Sequence, residues 1–370
     1  MKVLYDHQTF SLQKFGGISR TVAEIIKSSR LNKSVEIVLP ILFSNNIYLK
    51  QLCNLNYPKF LPLSTSNHAI SAMFRLNSLY TIPYLKKSDF DVFHPSYYDP
   101  YFLKHLKGKP FVVTFMDLIH EKYGSRFKEL SADKYIVERK RTMLKNASKI
   151  IAISECTKRD IVDFFGTSEE KIEVIYLGSS LEVTNNSTSQ SSASKNYLLY
   201  VGNRSLYKNF SFCLNAIAPL LLGNKDLKII CAGGGNFNKT EIELISTLKI
   251  GNKVEFVRVE NDDTLVSLYS NALCFIFPSL YEGFGIPVLE AFSCGCPVVL
   301  SDKGSLPEVG GNAAVYCDPD DADSISAAVE SYIKNSSLRD ENRRKGYERL
   351  KKFSWAKTSE ETFNLYKTLI

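Results

Sequence analysis

Residues 273–302 read LCFIFPSLYEGFGIPVLEAFSCGCPVVLSD, and this stretch sets the architecture of the chain. Leu273 to Phe277 form a short, wholly apolar run, as in a strand buried on both faces. Pro278 to Gly285 make a glycine-containing loop. Pro287 suits the first turn of a helix carrying PVLEAFSCG. PVVLSD then reads as a second buried strand. Strand, loop, helix and strand in this order imply a βαβ unit in a parallel sheet, hence an α/β fold. Such sheets bind ligands beyond the carboxyl ends of their strands, which directs attention to the loop. Gly283 and Gly285 let the backbone approach a ligand closely. The N–H groups of Gly283, Phe284, Gly285 and Ile286, with the helix dipole, favour a diphosphate there. Glu282 in the loop and Glu290 in the first turn are electrostatically odd beside a phosphate unless they accept hydrogen bonds from hydroxyls. Two such carboxylates can grip polyols, for example a hexose ring and a ribose. For either residue alone, a surface loop followed by an ordinary acidic first turn is the competing explanation.

Outward from this block the alternation continues on both sides. Upstream, NYLLYVG (196–202), LKIICAGGG (227–235) and KVEFVRV (253–259) read as strands, separated by helical patterns at 209–221, 238–249 and 262–272. Residues 179–195, SSLEVTNNSTSQSSASK, are nearly devoid of apolar side chains and read as a linker. Before it the same alternation runs from residue 2 to 178: strands KVLYDH, VEIVLPIL, DFDVFHPS, KPFVVTFMD, KIIAIS and IEVIYLG, with helices ISRTVAEIIKSS, DKYIVERKRTMLKNA and ECTKRDIVDFFG. Ser154 is placed to cap the last of these helices and Gly166 to end it. From about Ala322 to the end the pattern is helical only. The expected organisation is a first Rossmann-like domain over 1–180, a linker over 181–195 and a second Rossmann-like domain over 196–353, with a terminal helix over 354–370.

Length and composition agree with two soluble α/β domains. The 370 residues exceed one ordinary domain, and 44% hydrophobic with 23% charged residues is typical of globular proteins. No run of 18 or more apolar residues occurs, and MKVLYDHQTF enters a strand pattern with no signal-peptide core, so a cytoplasmic location is expected. The eight cysteines are scattered through apolar segments and read as free thiols. Neither a metal-ligand cluster nor a G-x-S-x-G elbow is present, so no metal is expected and no serine hydrolase is indicated. Residues 1–180 carry 26 Lys and Arg against 17 Asp and Glu, whereas residues 181–370 carry 20 against 22. A basic first half suits an anionic partner, and a merely soluble lysine-rich surface is the alternative. The basic helix at 133–147, with Lys86, Lys87, Lys104, Lys107 and Lys109 and nearby Tyr97, Tyr98 and Tyr101, favours an anionic membrane surface. Nucleic acid is disfavoured, since no binding module accompanies the charge.

Arg204 and Lys208 follow the strand at 196–202, where a fork and a point charge could neutralise a diphosphate; a solvated basic turn is the alternative. Gly16-Gly17 follows the first strand and alone would be a tight turn. Together, FGGISR, ASKIIAISECTKRDI, YLLYVGNRSLYKN, PSLYEGFGIPVLEAFSCGCPVV and SLPEVGGNAAVYCDPDD resemble retaining glycosyltransferases of family 4, whose E-x7-E signature matches Glu282 and Glu290. The resemblance spans essentially the whole chain. It implies the GT-B fold, two Rossmann-like, doubly wound domains facing a central cleft, with residues 354–370 crossing back to the first domain. It also implies a nucleotide diphosphate-sugar donor such as GDP-mannose, no metal or other cofactor, and transfer with retention to a glycan or lipid-linked glycan acceptor. The enzymes it is most similar to are bacterial mannosyltransferases of O-antigen and other polysaccharide assembly.

In that family the matching Glu282, Arg204 and Lys208 do the catalytic work, and the amides of Gly16 and Gly17 face the donor phosphates. No protein nucleophile is implied; the leaving phosphate helps deprotonate the acceptor. The family usually carries His-Asp where this chain has Met116-Asp117, the His lying near the transferred sugar. Met offers a soft apolar surface in its place, which suits a 6-deoxy sugar. His120 and His94 are further candidates for the sugar or acceptor side. A catalytically weak nucleotide-sugar binder is the alternative that Met116 leaves open. A dinucleotide-dependent oxidoreductase is disfavoured by the lack of a G-x-G-x-x-G turn.

Overall fold

The computed structural model describes residues 1–32, 34–52, 66–131, 135–179, 181, 183, 196–204 and 206–370. Apart from 181 and 183, the residues read as a linker lie outside that set, as does Cys53. The chain divides into two compact units, Met1–Leu177 together with Trp355–Ile370, and Gly178–Ser354.

In the first unit β1 (Lys2–Tyr5), β2 (Glu36–Val38) and β3 (Val92–His94) form a parallel sheet in the order β2-β1-β3. A second parallel sheet holds β4 (Val112–Phe115), β5 (Lys149–Ala152) and β6 (Ile172–Val174) in that order. A parallel bridge between Phe93 and Phe111 joins the two at β3. Helix Gly17–Ser29 buries Val22, Ala23, Ile25 and Ile26 on this core, in the spacing an amphipathic helix requires. Helix Glu155–Phe165 is capped by Ser154, whose hydroxyl accepts from the Thr157 N–H at 3.0 Å, and ends at Gly166 in the left-handed region. Helix Trp355–Lys367 completes the unit: Phe363, Leu365 and Tyr366 join the same core as Val3, Tyr5 and Val22.

Besides the short helices Ile47–Leu52 and Ile119–Tyr123, two helices here gave no sequence signal. One, Gln8–Leu12, follows β1 directly. The other spans Asn67–Lys87, carries Pro83, and has apolar residues around its circumference, burying Met73 and Leu85 while leaving Leu76 and Leu79 exposed. A helix without one apolar stripe has no 3.6-residue period to detect.

In the second unit β7 (Tyr197–Val201), β8 (Lys228–Ala232), β9 (Val254–Val257), β10 (Cys274–Phe277), β11 (Val298–Ser301) and β12 (Ala314–Cys317) form one parallel sheet in the order β12-β11-β10-β7-β8-β9. This is the doubly wound order, in which chain direction across the sheet reverses between β7 and β10. β10 and β11 are buried at every position, as their unbroken apolar runs require. Strand β12 was not anticipated, because AVYC is short and lies among glycines and aspartates. Helices Ala322–Lys334 and Ser336–Leu350 close the unit. The seven described cysteines are free and buried. Among the described residues no helix is long and apolar enough to cross a membrane, and no group of three or more His, Cys, Asp or Glu side chains could hold a metal ion.

Candidate functional site

The strands on either side of the reversal carry the turns singled out in the sequence: Gly202 to Lys208 after β7, and Pro278 to Gly285 after β10. A crevice at this position is where doubly wound sheets take ligands. One ion pair spans it, with Lys208 Nζ 2.6 Å from Glu282 Oε1 and both side chains mostly buried. The Lys208 ammonium also sits over the rings of Tyr207 and Phe277, at 5.0 and 5.4 Å. The Leu280 N–H donates to the Tyr207 carbonyl at 2.7 Å, so the two turns are joined by backbone as well as by charge.

The Glu282 loop is shaped by its glycine and by a buttress. Gly285 caps helix Ile286–Ser293 at φ +113°, and a Cβ there would meet Leu306 Cδ2 at 2.9 Å. Ser305 Oγ donates to the carbonyls of Glu282 and Phe284 at 2.9 and 2.8 Å. Glu290 is buried in the helix, and its carboxylate accepts from the Tyr269 hydroxyl at 3.5 Å. Burial, and then the Glu290 charge, hold the Tyr269 phenol well above its ordinary pKa, so it stays a donor.

Arg204 behaves differently from Lys208. Its side chain is 3% exposed and forms a buried pair with Glu241, Nε to Oε1 at 2.9 Å. Its guanidinium also donates to the carbonyls of Gly233, Gly235 and Asn236, at 2.8–3.0 Å, and Nη2 lies 3.4 Å from Glu241 Oε2. It faces the interior of the unit, with Lys208 on the crevice side.

In the first unit Gly16 caps helix Gly17–Ser29, and a Cβ on it would meet Gln13 Oε1 at 2.8 Å. His94, read as a lining residue of the sugar or acceptor side, is 2% exposed and has both ring nitrogens engaged. Nδ1 is 2.5 Å from the Tyr366 hydroxyl and Nε2 is 3.0 Å from Thr114 Oγ1, while the ring stacks on Tyr5 at 4.8 Å. Desolvation lowers its pKa to about 3, so the ring is neutral and ties the terminal helix to β1 and β3. Met116 does lie at the end of β4, where its N–H donates to the Tyr98 hydroxyl at 3.1 Å, and it lines a narrow crevice with Ile18, His94, Thr114 and Tyr98, so His94 borders the crevice beside Met116 although its ring nitrogens are engaged. Asp117 is partly exposed. Its carbonyl accepts from Lys140 Nζ at 2.9 Å, and Lys140 is itself paired with the fully buried Glu121 at 3.0 Å. His120 follows in helix Ile119–Tyr123 and is half-buried.

Models of two families together cover residues 15–349. "Glycosyltransferase Family 4" matches residues 15–183 and "Glycosyl transferases group 1" matches residues 183–349. O-antigen chain mannosyltransferase B of Escherichia coli is 30% identical over 297 residues, 75% of this chain and 74% of that one. The chain belongs to glycosyltransferase family 4. This glycosyltransferase has the GT-B fold. Sucrose-phosphate synthase from Thermosynechococcus elongatus superposes with a TM-score of 0.79 at 18% identity, covering 100% and 99% of the two chains. Anabaena Alr3699/HepE, solved in complex with UDP-glucose, superposes with a TM-score of 0.73 at 16% identity over 100% of both chains.

Three positions that hold the candidate residues in place escaped the sequence reading. Ser305 gave no signal, since a lone serine after a glycine is unremarkable until the loop it buttresses is in place. Glu241 was legible in principle: Asn238 and Glu241 form a capping box, the N-x-x-E spacing at a helix start. Tyr366 is an ordinary helix residue by sequence, and only its hydroxyl contacts with Tyr5 and His94 give it a role.

Proposed function

We propose that this glycosyltransferase moves mannose or a related hexose, 6-deoxy sugars included, from a nucleotide diphosphate-sugar to a glycan or lipid-linked glycan, with retention of configuration, in O-antigen or similar surface-polysaccharide assembly. The observation that carries it is the 30% identity to an O-antigen chain mannosyltransferase across three quarters of both chains. The Lys208–Glu282 pair at the strand-order reversal supports the assignment of roles. Glu282 would accept hydrogen bonds from donor-sugar hydroxyls and Glu290 from the ribose. Lys208, the amides of Gly283, Phe284 and Gly285 and the helix beginning at Ile286 would take the diphosphate. As the sugar–phosphate bond breaks, its electron pair passes to the phosphate oxygen. That oxygen then accepts the acceptor hydroxyl's proton as the new glycosidic bond forms on the same face. No protein nucleophile, metal or other cofactor is assigned, so the protein contributes orientation and charge stabilisation.

A thermal-shift series tests the donor assignment. GDP or UDP at about a hundred times Kd should stabilise the protein by about 2.7 kcal/mol, and NAD should not. Failure of both nucleotides would refute the donor site. Release of free GDP or UDP only when donor and acceptor are both present separates the enzyme from a silent binder. GDP-mannose compared with 6-deoxy donors tests the apolar surface offered by Met116. The basic excess of residues 1–180 supports peripheral docking at an anionic, cytoplasmic-face membrane. Sedimentation with anionic vesicles should then weaken as salt rises, and salt-independent or absent sedimentation would remove that proposal.

A further inference from the structure

The turn after β7 supplies two cations to one ligand site by sequence, yet the structure uses them for different purposes. Arg204 places its guanidinium among the rings of Phe210, Phe237 and Phe256, whose centroids lie 5.8, 4.8 and 5.8 Å from its central carbon, whereas Lys208 pairs with Glu282. There it meets Glu241, whose two carboxylate oxygens are both engaged, Oε2 also taking a longer bond from Arg204 Nη2 at 3.4 Å. One oxygen accepts Arg204 Nε at 2.9 Å, and the other accepts the Asn238 N–H at 2.8 Å, closing the capping box of helix Lys239–Thr247. The guanidinium then gathers the carbonyls of Gly233, Gly235 and Asn236. A charge buried in this way is tolerated because its carboxylate partner and several carbonyls replace the lost water.

The loop it gathers could not hold this form with ordinary residues. Gly233, Gly234 and Gly235 have φ of +78°, +71° and +78°, and a Cβ on Gly234 would come within 2.7 Å of the Gly202 carbonyl oxygen and 3.1 Å of Arg204 Nη1. The loop therefore lies directly on the turn that leads to Lys208. A trans peptide points its N–H opposite to its C=O. With the carbonyls of 233, 235 and 236 drawn inward by Arg204, the N–H groups of Gly234, Asn236 and Phe237 turn away from the guanidinium, on a stretch whose residues 234–236 are exposed. Outward N–H groups in such a turn favour an anion.

We infer that Arg204 is a positioning residue and not a phosphate ligand: paired with Glu241, it fixes the Gly233–Asn236 loop against the Gly202–Lys208 turn and so sets the backbone that meets the donor's diphosphate. The inference rests on the nucleotide diphosphate-sugar reading of this site. Its consequence is that Glu241, which has no side-chain route to the ligand, controls diphosphate affinity as strongly as Arg204 does.

Dissociation constants for GDP or UDP, whichever stabilises the unaltered protein, and for the corresponding nucleoside test this by titration calorimetry. Arg204→Lys and Glu241→Gln should each raise the Kd of the diphosphate about tenfold, and the double variant should also lose about tenfold, not a hundredfold, because both act through one clamp. Affinity for the nucleoside should not change. Gly234→Ala, which leaves both charged residues in place, should give the same selective loss and keeps the test valid if the charge variants fold poorly. If Glu241→Gln binds the diphosphate as well as or better than the unaltered protein while Arg204→Lys loses affinity, Arg204 touches the phosphates and the inference is wrong. Lowered melting temperatures with unchanged Kd values would also overturn it, reducing the pair to a stability element. Absence of nucleotide binding by the unaltered protein would instead overturn the functional reading beneath it.

Discussion

Glu282→Ala is expected to lower the rate of sugar transfer by about two to three orders of magnitude while leaving the protein folded and able to bind nucleotide. The rate estimate is that for removal of one preorganised polar contact to the reacting group. Retention of the fold is expected because the loop is held by other means, the Ser305 hydroxyl on the carbonyls of Glu282 and Phe284 and the left-handed Gly285, none of which involves the Glu282 carboxylate. Retention of nucleotide binding follows from the ion pair. Lys208 is 2.6 Å from Glu282 in this structure, so a diphosphate must share or replace that carboxylate. Without the carboxylate, Lys208 meets the phosphates unopposed, and the Kd for GDP or UDP should stay the same or fall. Lys208→Met should do the reverse, weakening nucleotide binding together with turnover. Rates of nucleotide release at saturating donor and acceptor, set beside calorimetric Kd values, separate the two effects. Full turnover by Glu282→Ala would show that the carboxylate does not reach the sugar.

The sheet of the second unit was readable because strands buried on both faces of a parallel sheet leave short unbroken apolar runs such as LCFIF and PVVLS. The turns between strands and helices were readable for the same reason, and with them the places of Lys208 and Glu282 on facing turns and of Glu290 in the following helix. Side-chain direction was not readable. Arg204 and Lys208 are four residues apart on one turn, and only the packing of Phe210, Phe237 and Phe256 decides which of them faces inward. Lys140 shows the same limit. In ERKRTMLKN it is one of several cations on a helix taken as a basic surface, yet its side chain is 1% exposed and paired with Glu121 inside the first unit. It therefore contributes nothing to a surface charge patch. His94 was legible only in part: it borders the crevice beside Met116, as a histidine at a strand end suggests, but a tyrosine from helix Trp355–Lys367 engages its ring.

That buried histidine has a measurable consequence for stability, which His7 doubles. His7 is fully buried between Ser11 and Ser78, with ring nitrogens 2.9 and 3.1 Å from their hydroxyls, and desolvation lowers its pKa to about 3, as it does for His94. In the unfolded chain both should titrate near the ordinary value of 6.5. Between that value and about 3 the unfolded state binds protons that the folded state refuses, so stability is intact above pH 6.5 and declines as pH falls. Each ring costs about 1.4 kcal/mol per pH unit over that window. The pair thus removes about 4 kcal/mol by pH 5, a large share of the roughly 5–15 kcal/mol that holds a domain together. Asp6 acts in the other direction, because burial raises its pKa above the usual carboxylate range and the folded state keeps its proton longer. It offsets part of the loss towards the acidic end of the window. The single tryptophan, Trp355, is 8% exposed in the helix that His94 tethers through Tyr366, so its fluorescence reports on the unit containing both histidines. The urea midpoint followed by Trp355 should drop steeply from pH 7 to pH 5. In His7→Gln and His94→Gln it should start lower at pH 7, since well-packed contacts are lost, and then change less with pH. A midpoint in the unaltered protein that stays constant across this range would mean that these rings accept protons in the folded state, and that the seal around them is looser than the hydrogen bonds and stacking imply.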